Sequence, residues 1–217
     1  MKIDSAQLYL CTDGRNGVTE FAEFVEAAFI GGVDIIQLRD KNLEAAEELD
    51  LLAALSEIAH GHGKLWAVND RADIALLARA PILHLGQNDL SHADAHKIVG
   101  NQTDLGLSTH TLEQIDNIIA TEDVTYFCVG PVWATPTKPG RAAVGIELVK
   151  YAANKVSEVA SSKPWFAIGG IDLTNVDQVV DAGASRIVVV RAITEAKDPA
   201  NAANQLRSAL PAISDGS

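Results

Sequence analysis

Two cysteines in 217 residues are too few for a disulfide framework. Both Cys11 and Cys128 fall inside predicted strands, where a buried free thiol is the expected state, and a reducing, cytoplasmic setting follows. Positive charge is also short: 17 Lys and Arg stand against 29 Asp and Glu, for a formal net charge of −12. That balance argues against nucleic acid and against anionic membrane surfaces as partners. No stretch approaches the roughly 18 unbroken apolar residues of a membrane span. The opening Met1-Lys2-Ile3-Asp4 has neither a long apolar core nor a small-residue cleavage pattern. No low-complexity linker divides the chain, and no Ser-His-Asp or Cys-His grouping can be assembled from it. The sequence leaves room for an oligomer without specifying one.

What is present is a regular alternation. Hydrophobic residues make up 47% of the chain, enough for one well-packed domain over residues 1–217, with 213–217 expected to fray. Short β-rich runs are read at 8–12, 35–38, 65–68, 82–85, 105–108, 126–130, 165–168 and 187–190. Helical periodicity fills 19–29, 44–59, 72–78, 92–99, 112–120, 147–159, 175–182 and 199–210, with glycine stops such as Gly31-Gly32, Gly61, Gly100 and Gly183. Eight βα units predict an α/β chain closed into a single-domain (β/α)8 TIM barrel. An open doubly wound sheet needs the same alternation. The barrel is favoured by the count of eight and by polar strand ends nearly all the way round rather than at one switch point.

Those strand ends carry the chemistry, because a barrel of this kind builds its site on the carboxyl rim. Arg39, Lys41, Arg71, Lys138, Arg141 and Arg191 all fall at or just after predicted strand ends. Gln37 and Arg39 are two apart on one strand and point to the same side, the barrel mouth. With Lys41 just beyond, they form an anion site, the Arg fork matching phosphate oxygens and the Lys adding a point charge. The competing reading is a surface ion pair of these cations with Asp40 or Glu44. Asp70 and Asp89 each follow a strand, and two carboxylates on adjacent loops suit magnesium, which shares its shell with substrate phosphate. The alternative is capping, with Asp73 on the third helix and Asp89 or Ser91 on the fourth. Gly169-Gly170 after the seventh strand and Arg191 after the eighth occupy the place where such barrels bind phosphate, and the following helix start adds a favourable dipole. His92 and His96, four apart on a helix, lack a third ligand and read as a solvated pair; His60 and His62 read as structural. His110, two past Ser108, is kept as a rim candidate. Residues 133–144 form the one long loop on the rim and are a candidate lid.

Taken together, the motifs resemble a known set. Leu8-Tyr-Leu-Cys-Thr-Asp13, Gln37-Leu-Arg-Asp-Lys41, Val68-Asn-Asp70, His84-Leu-Gly-Gln-Asn-Asp89, Gly106-Leu-Ser108, Gly130-Pro-Val-Trp-Ala-Thr-Pro-Thr-Lys138 and Ala167-Ile-Gly-Gly-Ile171 resemble the thiamine-phosphate synthase family, in order and over almost the whole chain. The resemblance implies a transferase on a (β/α)8 barrel that joins 4-amino-2-methyl-5-hydroxymethylpyrimidine diphosphate to 4-methyl-5-hydroxyethylthiazole phosphate, or its carboxylated form, and releases pyrophosphate. It implies one Mg2+ per site, held by Asp70 and Asp89. Gln37, Leu38, Arg39, Asp40, Lys41, Asn69 and Lys138 would hold the pyrimidine diphosphate, and Ser108 would meet its pyrimidine side. Arg39, Lys41, Lys138 and Ser108 would be the catalytic set. Thr135, Pro136, Thr137, Gly170, Val190 and Arg191 would surround the thiazole phosphate.

Many members of the family carry Ser where this chain has Arg191. Backbone N–H groups could make the side chain immaterial, the Arg could add a charge to the thiazole phosphate, or it could turn outward to Glu195. Other readings keep the barrel but change the task. A thiazole-phosphate tautomerase or regulator would need only the Gly170 phosphate site. A phosphate-sugar isomerase would need an acid–base pair, for which Asp13 and Asp70 are available but the Thr135–Lys138 stretch has no use. A binding module would show no turnover.

Overall fold

The computed structural model describes residues 1–135, 142–159, 161 and 163–213. Eight short parallel strands follow one another: β1 (Leu8–Thr12), β2 (Ile35–Leu38), β3 (Leu65–Asn69), β4 (Ile82–Leu85), β5 (Asp104–Thr109), β6 (Tyr126–Val129), β7 (Trp165–Ile168) and β8 (Ile187–Val189). They close in sequence order into a barrel. Ile187 of β8 pairs with Ala167 on one side and Leu8 on the other, which removes the open-sheet alternative. The helices are α1 (Val18–Ile30), α2 (Ala45–Gly61), α3 (Ala72–Ala78), α4 (His92–Val99), α5 (Leu112–Ala120), α6 (Gly145–Glu158), α7 (Val176–Asp181), α8 (Arg191–Thr194) and α9 (Pro199–Ala209). The (β/α)8 barrel read from the sequence is therefore the fold, with element ends displaced by a residue or two. Among the described residues the added elements are α8, a single turn too short to leave a periodic signature, and two 3-10 turns at Ile3–Ser5 and Gly100–Gln102. The frayed end expected at 213–217 lies outside the described residues from 214 onward.

Strand alternation sorts the side chains into two apolar layers. Leu8, Leu10, Ile36, Leu38, Trp66, Val68, Leu83, Leu85, Phe127 and Val129 face outward and pack against the helices. Tyr9, Cys11, Ile35, Ala67, Ile82, Tyr126, Cys128, Phe166 and Val188 fill the barrel itself. Several strands are buried along their whole length, so their sequences are continuous apolar runs with one polar intruder, such as His84 in β4.

The helix starts that are capped use ordinary chemistry. Ser91 accepts from the Asp94 amide at α4, Thr111 from Gln114 at α5, and Asp198 from Asn201 at α9, where Pro199 fills the first turn. The amino-terminal face of the barrel is sealed by polar ties. Asp34 accepts from the Gln7 and Leu8 amides and from Lys64, the last at 2.6 Å. Gln7 donates to the carbonyls of Ser185 and Pro211, and Arg186 to those of Ala6 and Asp4. That end is stitched shut, and the opposite rim is left for the site.

Candidate active site

The rim divides into two hollows that meet at Ser108. The first, of about 220 Å3, lies over the ends of β2 to β5 and is lined by Arg39, Lys41, Asn69, Asp70, His84, residues 86–89 and Ser108. The second, also about 220 Å3, lies over β5 to β8, where Ser108, His110, Thr135, Gly170, Val190 and Arg191 are among its walls. A wider, more open hollow joins Arg39 and Lys41 to Arg191 across the end of β1.

In the first hollow, neither carboxylate caps a helix. The cap of α4 is Ser91, and α3 starts at Arg71 with no side-chain cap, while Asp73 pairs with Arg71 at 2.5 Å. Asp89 instead accepts from the Gly86 amide at 2.7 Å and closes its own loop. Asp70, at φ 62°, points to Lys41 at 2.9 Å and shares a hydrogen bond with Asp89. Burial and the neighbouring Asp70 push the Asp89 carboxyl upward. Asp70 is also pushed up by burial, but the hydrogen bond from Asp89 and the Lys41 ammonium outweigh this and hold it low. The two carboxylates and the Lys41 ammonium thus stand together at one edge of the hollow. Among the described residues no group of three or more His, Cys, Asp or Glu could hold a metal, so a magnesium ion here would complete its shell with water and substrate oxygens.

Lys41 therefore finds its partner on the loop after the neighbouring strand β3 rather than in its sequence neighbours Asp40 and Glu44. Asp40 accepts from the Asn42 amide at 3.0 Å and the Gly14 amide at 3.3 Å, shaping two loops. Leu38 is buried in the outer layer, away from the mouth. Of the stretch 37–41, Gln37, Arg39 and Lys41 line the two smaller hollows of the mouth, and Asp40 lines the wider one beside Lys41. Arg71 is held on the surface by Asp73.

In the second hollow the glycine pair has a steric reason. Gly169 and Gly170 have φ of 108° and 69°, and a Cβ would lie 2.5 Å from Pro131 at the first and 2.9 Å from Trp133 at the second. The β7 end is tied to the β6–α6 loop by bonds from the Val132 amide to the Ile168 carbonyl and from the Trp133 amide to that of Gly169. The dipole expected from the next helix is displaced: residues 171–175 first make a turn closed by Asp172 and Asn175, and α7 starts only at Val176. Val190 and Arg191 enter the cavity wall instead, at the start of α8. Arg191 is exposed, Glu195 lines the same cavity, and no ion pair between them occurs among the described residues. His110 lines this cavity, its Nδ1 bonded to the Gly130 carbonyl and its amide to Gln114. His62 pairs with Glu26 and stacks on Phe29, as a structural histidine does. Pro136, Thr137, Lys138 and Arg141, with the middle of the candidate lid, lie outside the described residues.

Sequence reasoning passed over three residues on the floor of the mouth. His84 bonds Ser108 Oγ through Nε2 and Tyr126 Oη through Nδ1, both at 3.0 Å, and Tyr126 meets Tyr9, which accepts from Gln37. The available signal was a lone histidine in the apolar run Ile82-Leu-His-Leu85.

The thiamine monophosphate synthase family model matches residues 8–193. The chain belongs to that family. The thiamine-phosphate synthase of Arthrobacter sp. strain FB24 is 59% identical, with 97% of this chain and 96% of that one covered. That of Mycolicibacterium vanbaalenii is 54% identical, with 97% of each covered. Among solved structures, the thiamine phosphate pyrophosphorylase of Pyrococcus furiosus superposes with a TM-score of 0.83 at 28% identity, covering 95% of this chain and 96% of that one. A 3-hexulose-6-phosphate synthase at 21% identity and TM-score 0.67 shares the barrel alone. Among the described residues no helix is long and apolar enough to cross a membrane.

Proposed function

We propose that this family member, acting as one domain, joins the pyrimidine diphosphate to the thiazole phosphate and releases pyrophosphate. The observation that supports the reading is the layout of the rim: a hollow lined by Arg39, Lys41, Asp70 and Asp89 abuts, at Ser108, a cavity lined by Gly169-Gly170. Such a layout suits two phosphorylated substrates held side by side. The pyrimidine ring lies toward Ser108 and Gln37, its diphosphate toward Arg39 and Lys41, and the thiazole phosphate toward Gly170 and Arg191.

The carbon–oxygen bond breaks, and its electron pair leaves with pyrophosphate. The methylene cation is stabilised by its own aminopyrimidine ring, and the thiazole nitrogen lone pair closes the new carbon–nitrogen bond. That nitrogen has no proton to lose, so no protein base or nucleophile is called for. Arg39 and Lys41 stabilise charge gathering on the leaving group, a contribution of the kind worth about 10²–10³ in rate. By family resemblance Lys138 joins them. Asp70 and Asp89 fit a magnesium ion, which when bound supplies further charge for the departing pyrophosphate. Holding both partners in line supplies the remaining advantage. A cytoplasmic setting is supported by Cys11 and Cys128, both buried and neither in a disulfide.

The test is pyrophosphate release. Release that needs both substrates and magnesium, with thiamine monophosphate as product, is the expected result. Binding of thiazole phosphate with no release under those conditions would overturn the reading.

A further inference from the structure

Ile168, Gly169 and Gly170 line the second cavity in succession, and each of their carbonyls is taken up by a donor. Ile168 accepts from the Val132 amide at 2.9 Å and Gly169 from the Trp133 amide at 3.0 Å. Gly170 accepts from a side chain instead, Asn175 Nδ2 at 2.8 Å. The first two ties are backbone to backbone and do not depend on side-chain identity. The third hangs on one residue.

The Asn175 amide can sit only one way round. Its Oδ1 accepts from the Asp172 N–H at 2.9 Å while its Nδ2 donates to the Gly170 carbonyl. Turning it over would set a nitrogen against an N–H and an oxygen against a carbonyl, so the two backbone partners fix the orientation. Nor is the side chain spent on helix capping. Asn175 is the N-cap residue of α7 and makes no side-chain cap bond. It reaches back across the turn.

The consequence lies on the other edge of the same peptide. In a trans peptide the C=O of one residue and the N–H of the next point opposite ways, and Gly170–Ile171 is trans. Asn175 is not among the residues lining the cavity, so the Gly170 carbonyl is drawn to the outside and the Ile171 N–H faces in. Among the described residues no protein oxygen accepts from the Ile171 N–H, nor from that of Gly170. Ile171 is only 4% exposed, and an unpaired N–H on so buried a residue is uncommon. Gly170 makes the tie necessary. Its φ of 69° and the nearness of Trp133 exclude a Cβ, and a glycine lets the adjoining peptide turn at little cost. Untied, that peptide could swing its carbonyl into the cavity.

We propose that Asn175 is a positioning residue, which holds the Gly170–Ile171 peptide so that the Ile171 N–H, beside that of Gly170, donates to a phosphate in the second cavity. Successive N–H groups of this kind form a concave anion site. The acids on the same wall are Asp172, whose Oδ1 accepts from the Thr174 N–H and hydroxyl, and Glu195. A carbonyl added to them would turn the wall against an anion. That the phosphate is the one on the thiazole rests on the synthase reading.

The tie is tested first without turnover. In 15N-labelled full-length protein, titration with inorganic phosphate should move the Ile171 amide proton downfield in the wild type and much less in Asn175→Ala. No shift of Ile171 in the wild type, or an equal shift in Asn175→Ala, overturns the proposal whatever the activity. The two KM values in pyrophosphate release are then compared. Asn175→Ala should raise the thiazole-phosphate KM about tenfold, as loss of a hydrogen bond to a charged group gives, with the pyrimidine-diphosphate KM within about twofold. Asn175→Asp keeps the shape and the bond from the Asp172 N–H but sets an oxygen against the Gly170 carbonyl; it should be no better than Asn175→Ala, and it replaces that variant if Asn175→Ala does not fold. Wild-type KM values in Asn175→Asp, or equal rises in both KM values in Asn175→Ala, overturn the proposal. So does a lower Tm with no split between the KM values, which is what a merely structural Asn175 would give. A wild-type protein that releases no pyrophosphate would instead sink the synthase reading, and the phosphate titration alone would decide the role of Asn175.

Discussion

Gly106→Ala is a substitution that the sequence would recommend and the structure forbids. Glycine inside a strand is entropically weak, and replacing it by alanine ordinarily stabilises by about 0.4–1 kcal/mol where the backbone allows it. Gly106 sits in β5 with an inward face, and a Cβ there would fall far inside van der Waals contact of Cζ, Cε1 and Oη of Tyr126. Tyr126 has nowhere easy to go. Its ring lies 5.7 Å from both Phe166 and His84 and 6.2 Å from Tyr9, centroid to centroid, and it is wholly buried. Overpacking of this kind costs about 1–3 kcal/mol. Displacing the ring also breaks the bonds to Tyr9 and His84, at about 1 kcal/mol each. Against the entropic gain, the net is a loss of about 2–4 kcal/mol, read as a lower urea midpoint at unchanged slope. In a chain of this size that is a fall in Tm of about 5–15 °C. Tyr126→Leu removes the atoms in the way, so the double variant should lose less than the sum of the two singles. Wild-type stability in Gly106→Ala alone, or strict additivity in the pair, would refute the argument that Gly106 exists to seat Tyr126.

Asp89→Asn should raise the magnesium concentration for half-maximal pyrophosphate release by about tenfold or more, since one of two carboxylates is lost; an unchanged titration would show that Asp89 only closes its loop. Arg191→Ala should raise the KM for thiazole phosphate several-fold more than that for the pyrimidine diphosphate, because Arg191 lines the second cavity. Equal effects on the two would show that Arg191 serves both hollows alike. Asp73 is lowered to about 2 from 3.8 by its hydrogen bond to Arg71. A depressed carboxyl stabilises the fold above its unfolded pKa and loses that contribution as pH falls toward about 2. Because the Asp73 side chain is 58% exposed, screening limits this to about 0.5 kcal/mol. Urea midpoints for Asp73→Asn and wild type should therefore differ slightly at pH 6 and converge near pH 2; a constant gap would point to a cause other than this ion pair.

The barrel was legible because every strand is short, apolar and followed by a helix, so period alone gives the count of eight. The cations and carboxylates of the rim were legible because polar residues at the end of an apolar run have few other places to be. What escaped depends on distances across the barrel. Lys41 pairs with Asp70 on the next strand's loop, not with the acids beside it in sequence. Asp40 and Leu38 sit inside one motif, yet Asp40 shapes loops while lining the wider hollow and Leu38 packs outward. His84, Tyr9 and Tyr126 are single inward residues on three different strands. Only closure of the sheet puts their polar atoms within 3.2 Å of one another.

That closure also resolves how so acidic a chain can serve two anionic substrates. The negative charge is spread over the outer helices, where α2 alone carries Glu47, Glu48, Asp50 and Glu57. At the mouth cations are concentrated: Arg39, Lys41 and Arg191 line a common hollow with Asp13, Asp40 and Glu195, and Lys41 lies 2.9 Å from Asp70. A phosphate responds to the charges within about one Debye length, roughly 8–10 Å, and not to the net charge of the protein. The acidic exterior can therefore repel other polyanions while the rim admits a diphosphate. Raising the ionic strength should raise the KM for the diphosphate substrate, because Lys41 and Arg191 are exposed and their charges are screened by salt; a salt-independent KM would refute it.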